Sequence, residues 1–200
     1  MTVVPSQVIE HYKESKSLVS VTRDEIDDQT LQGFVLDYDD QWILLGYIYD
    51  FTPDGVVAIR LSDLTSMTCR ATDAFQRHLL EVDGVLDKVD FALTLPEGGF
   101  LDFLRRIPNE KVVILEDEAE GNDIFIIGQN LQVLEDKFTL RTFSGAARVE
   151  DDLGEIDLDD VTSISLNTNY ALAYERHFAR IRMQNKAQHH KSDRAGESEA

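Results

Sequence analysis

Most side chains in this sequence that could do chemistry are carboxylates. Of 200 residues, 38 are Asp or Glu and 19 are Lys or Arg, for a formal net charge of −19. Acid–base catalysis needs two such groups held at a defined separation, and abundance alone does not supply that. Two stretches have the look of calcium loops. In the run from Glu150 to Asp160, a loop with Gly154 at its sixth position would place Val149 first and Leu153 fifth, where oxygen donors are required. Asp50 to Gly55 starts better, but its twelfth position is Leu61 rather than a bidentate glutamate. The histidines of Arg77-His78 and Arg176-His177 have no His or Cys three or four residues on, the helical spacing of a zinc pair. There is no Gly-x-Ser-x-Gly, no phosphate-binding glycine loop and no His-Glu-x-x-His. The expectation is a non-enzyme with no cofactor and no resident metal.

The single cysteine, Cys69, rules out an internal disulfide and reads as a small apolar residue. No apolar run approaches the ~20 residues that span a bilayer, and the first residues lack the pattern of a signal peptide. The expected location is the cytoplasm, away from membranes. The acidic balance also disfavours DNA and RNA, whose binding depends on cations displacing counterions. One basic cluster stands out: Arg176, Arg180 and Arg182 near the end of the chain. It reads either as a partner-binding patch or as a face that docks on the chain's own acidic surface.

One segment occurs twice. Ile59 to Met67 reads IRLSDLTSM, and 97 positions on Ile156 to Ile164 reads IDLDDVTSI, with Ile, Leu, Asp, Thr and Ser at matching places. The apolar phase changes around the aspartate, as at a tight corner between two strands. Asp63, Ser66, Asp160 and Ser163 are therefore expected to build a structural corner, the aspartates through bonds to the following amides. The repeat extends outward. Short apolar-alternating segments separated by Asp/Gly turns, with Thr52-Pro53-Asp54-Gly55 and Glu150–Gly154 among the turns, give five strands per copy. Helical patterns precede and follow each copy.

The reading is mainly β with helices: two tandem, small, five-stranded, strongly bent antiparallel barrels. Helix, barrel and helix fill 1–82, a linker 83–97, a second helix, barrel and helix 98–185, and a disordered tail 186–200. The pattern resembles the Sm-like family of RNA-binding proteins. Gly33, Tyr38, Asp39 and Leu44-Leu45 stand where that family's first motif has its glycine, aromatic-Asp pair and apolar strand. The second copy keeps Gly128 but has Val133 and Leu134 in place of the pair. The resemblance implies an Asn and an Arg-Gly that grip RNA. The positions hold Ile43 and Phe138, and Ser62-Asp63 and Asp159-Asp160. The expected function is accordingly a non-enzymatic protein-interaction or scaffold module, binding a protein partner or itself as a homo-oligomer. RNA regulation through the C-terminal arginines is the alternative.

Overall fold

The structure is a computed structural model that describes residues 4–119 and 124–196. Ten strands form one antiparallel sheet in the order β5-β1-β2-β3-β4-β10-β6-β7-β8-β9. The first half contributes β1 (Leu18–Thr22), β2 (Thr30–Tyr38), β3 (Trp42–Tyr49), β4 (Thr52–Arg60) and β5 (Ser66–Thr68). The second contributes β6 (Val113–Asp117), β7 (Ile124–Val133), β8 (Lys137–Phe143), β9 (Val149–Asp157) and β10 (Ser163–Leu166). Helices α1 (Ser6–Ser15) and α3 (Gly99–Arg105) precede the halves; α2 (Ala71–Val82) and α4 (Asn169–Gly196) follow them.

This corrects the expectation of two closed barrels. The mainly-β composition with flanking helices holds, but the halves run into each other. β4 pairs with β10, so the edge a separate barrel would use to close on itself is taken by the other half. Only β5 and β9 are left as outer edges.

The two halves are nonetheless copies in register. Gly33 faces Tyr47 as Gly128 faces Thr142, Ile43 faces Ile59 as Phe138 faces Ile156, and Val21 faces Met67 as Leu115 faces Ile164. The ladders also slip at corresponding places, within β2 and β7 and again between the following strand pairs. Such shifts bend the strands sharply.

Burial follows from that bending. Trp42 and Leu44 face one cluster while Ile43 and Leu45 face another, so β3 is covered on both sides. At the junction Val56 lies opposite Leu166 and Ala58 opposite Ile164. All four belong to one cluster, with Phe100 and Leu104 of α3 wedged into it and the Phe100 ring tilted against Trp42 at 5.1 Å between centroids. The predicted linker is part of this core: Val89, Phe91, Leu93 and Leu95 pack there from bends, turns and irregular chain rather than as the strand their alternation suggests. Asp37 and Asp39 fasten it. Asp37 accepts the Leu95 N–H (2.7 Å) and the Lys13 ammonium (2.8 Å), while Asp39 accepts the N–H groups of Trp42 and Phe100 (both 2.7 Å).

Two predicted turns move. The β3–β4 turn is made by Asp50 and Phe51, both left-handed (φ 45° and 62°), which places Thr52 to Gly55 inside β4. Paired positive φ values match the right-handed twist of a hairpin. The second turn likewise precedes Glu150, which lies in β9. Helix α4 runs to Gly196, well into the stretch read as a disordered tail. That stretch contains Lys186, Ala187, Gln188, Lys191, Arg194 and Ala195, good helix formers that extend a helix already nucleated by packing.

Candidate functional site

The repeated segment is architecture, but its fasteners are the hydroxyls rather than the aspartates. Each copy makes a single 3₁₀ turn, Leu61–Asp63 and Leu158–Asp160. The Leu64 N–H, within reach of the Asp63 carboxylate in the expected turn, is taken instead by the Leu61 carbonyl (3.4 Å). Asp63 accepts only the Ser62 hydroxyl (3.0 Å) among the described contacts. Thr65 and Thr162 hold the corner. Their N–H groups donate to the carbonyls of Thr22 and Glu116 (2.9 and 2.8 Å), and their hydroxyls accept from Asp24 and Glu118 N–H (2.9 and 3.1 Å). Ser66 bonds the Thr22 hydroxyl (2.9 Å), and Ser163 donates to the Glu116 carboxylate (2.8 Å). Each corner is thereby tied to the end of the first strand of its own half. Thr162 is buried, so Thr162→Val is expected to cost about 1–3 kcal/mol, because it leaves the Glu118 N–H without its acceptor. An unchanged urea midpoint would remove this explanation of the repeat.

The corners meet at the junction. Arg60, at the end of β4, lies 4.7 Å over the Trp42 ring; it donates from Nε to the Val161 carbonyl (2.9 Å) and from Nη2 to the Leu158 carbonyl. Arg23, which follows β1 and is 2% exposed, donates to Asp27 in its own half. Across the junction it donates to Glu118 (2.8 Å) and to the Thr162 carbonyl (3.4 Å). Two cations of the first half therefore clamp acceptors of the second. Arg60 also lines a hollow of about 280 Å³ whose wall includes Asp63, Asp117, Asp159 and Asp160. Burial pushes the Glu116 carboxyl above its ordinary range; Glu118 adds to this, while Ser163 and Arg23 oppose it. Among the described residues no group of three or more His, Cys, Asp or Glu side chains is placed to hold a metal ion.

No family model, curated protein or solved structure matches the chain.

The other predicted residues scatter. Arg176, Arg180 and Arg182 are exposed on α4 and take part in none of the ion pairs among the described residues. His78 and His177 lie on the exposed faces of α2 and α4. Cys69 is half-buried at the end of β5, with its thiol pushed up by burial and by Asp73. Ile43 and Phe138 are fully buried, which removes both from any ligand surface. No described helix is long and apolar enough to cross a membrane.

Sequence reasoning missed Arg23, Arg60 and Asp73. Asp73 is 3% exposed and binds the Ser20 hydroxyl, the Gln32 amide and the Arg70 N–H, which pins α2 to β1 and β2. The available signal was arithmetic. Residues 1–69 contain only Lys13, Lys16, Arg23 and Arg60 as cations, and a rare cation beside an apolar strand is a candidate for burial with partners.

Proposed function

We propose that this chain is a non-catalytic protein-interaction module that joins other chains by strand addition at its open edges. The carrying observation is the β4–β10 junction. There the sheet of one half already accepts the last strand of the other, in a pairing that spans Val56–Ile59 and Ser163–Leu166. The outer edges β9 and β5 are the counterparts of β4 and β10, and each is paired on one side only among the described residues. Unpaired edges are templates for a further strand. Leu153, which corresponds to the buried Val56, is 54% exposed. An Sm-like ancestry of each half accords with the shared strand order and the helix before each. The lone cysteine accords with a cytoplasmic setting.

The test is an amide NMR titration with a peptide of residues 161–168, the strand that occupies the internal junction. Shifts confined to Leu153–Asp157 are expected. No shift anywhere at millimolar peptide would overturn the reading.

RNA binding is the second reading, favoured by the exposed arginines of α4. Against it stand the acidic hollow at both corners and the burial of Ile43 and Phe138. The expected affinity for poly-U or poly-A oligomers is no tighter than ~10 µM at physiological salt, the nonspecific range. Submicromolar, saturable anisotropy changes that Arg176→Glu and Arg180→Glu abolish would establish RNA as the ligand.

A further inference from the structure

Because the two halves are in register, the internal junction serves as a template for what each open edge would accept. At that junction the first half supplies cations and the second supplies acceptors: Arg60 to the Leu158 and Val161 carbonyls, and Arg23 to Glu118 and the Thr162 carbonyl. The pairing fixes the counterparts. Trp42 faces Arg60 as Lys137 faces Asp157, so Asp157 stands where Arg60 would. Thr22 faces Ser66 as Glu116 faces Ser163, so Asp117 stands where Arg23 would, and Asp24 where Glu118 would.

The β9 edge therefore carries no cation at either clamp position. Glu155, exposed, takes the place of the buried Ala58. A second copy of the chain docking its β5 on this edge would follow the internal register. It would set Glu155 opposite Met67, a residue of the apolar core, and Ile156 opposite Ser66. It would also bring Asp157 toward the Leu61 and Leu64 carbonyls, acceptor against acceptor. Lys137 already donates to Glu155 (2.6 Å), so Asp157 is the carboxylate that such a dock would bury without a donor among the described contacts, and like-sign groups placed face to face select against the wrong partner.

We infer that the β9 edge is built to take an extended segment of a different, basic protein rather than a second copy of this chain. That segment places an apolar residue on Leu153 and a guanidinium or ammonium group at its N-terminal end, beside Asp157 and next to the Lys137–Glu155 pair. The end is set by direction. Internally the antiparallel strand enters from the corner beside Arg60 and leaves toward Val56, so an occupant of β9 enters at Asp157 and leaves at Leu153.

This inference rests on the strand-addition reading, and the test separates the two. The probes are three peptides of residues 161–168: one plain, one preceded by two arginines, one preceded by two glutamates. They are titrated by NMR or calorimetry into the full chain at about 50 mM salt. The arginine peptide is expected to bind at least tenfold more tightly than the glutamate peptide. That ratio should shrink toward one at high salt and in the double variant Asp157→Asn, Glu155→Gln, both exposed positions outside the core. Equal affinities would overturn the inference while leaving strand addition intact. Failure of all three to bind would overturn strand addition itself. The weight-average mass of the chain alone is expected to stay monomeric from 1 to 100 µM. A concentration-dependent rise that Leu153→Glu abolishes would show that a copy fits the edge, and would also overturn the inference.

Discussion

Arg23→Leu is expected to lower the unfolding free energy by about 3 kcal/mol, a large effect for a residue outside the hydrophobic clusters. Its guanidinium is buried and engages Asp27, Glu118 and the Thr162 carbonyl, so deletion strands two carboxylates and a carbonyl around an apolar side chain. Removing one member of a buried pair typically costs ~3–5 kcal/mol. Glu118 is about a quarter exposed and can recover some hydration, which places the expectation at the lower end. Arg23→Lys should cost less but not nothing, because one ammonium cannot serve both carboxylates and the carbonyl in the fork geometry of arginine. Adding Glu118→Gln to Arg23→Leu should cost little more than Arg23→Leu alone, since the pair acts as a unit. Urea midpoints of the wild type, Arg23→Leu, Glu118→Gln and the double variant decide it. Additive losses would mean that the clamp is only a coincidence of position.

Gly55→Ala is expected to disturb the junction at least as much. Gly55 sits at φ +78°, and a β-carbon there would strike the Leu166 carbonyl oxygen and lie 2.6 Å from the Thr168 nitrogen. The conformation alone costs about 1–3 kcal/mol for a residue with a side chain, and the collision is with backbone, which cannot rotate away. Asp54, next to it, accepts the Asn169 N–H at 2.5 Å, so a shift here also loosens the start of α4. The checks are the thermal midpoint and hydrogen exchange of the Ser163–Leu166 amides. Full protection of those amides in the variant would mean that the close approach does not hold β4 against β10.

Much of the local structure was readable in the residues. The repeat, the five strands per copy and the four helices follow from alternation, Asp/Gly turns and helical spacing. The joining of the halves was not readable, because it depends on which edge β4 chooses, and edge choice is a tertiary contest. β3 shows why periodicity was of limited use: Trp42 to Leu45 are apolar without alternation because both faces are covered. The turn at Asp50 and Phe51 escaped because Pro53 and Gly55 shout louder as turn residues, yet here sit in a strand. At the corner the aspartates drew the eye since they are strong turn formers, whereas the bonds are made by Thr65 and Thr162, which look like ordinary strand residues. Arg23 and Arg60 become legible only when the two copies are laid in register and the cations prove to have carboxylate counterparts.

The pairing of β4 with β10 has a consequence for how the chain is made. Val56 to Ile59 find their partners at Ser163 to Leu166, about a hundred residues later. At ~5–20 residues per second the nascent first half waits roughly 5–20 s with an apolar strand edge uncovered. The earlier outer edge, β5, is three residues long and immediately capped by a helix, but β4 has no such cover until the second half emerges. A ribosome-bound chain stalled near residue 110 would thus expose its most aggregation-prone surface, and the pace of translation through the second half sets how long that exposure lasts.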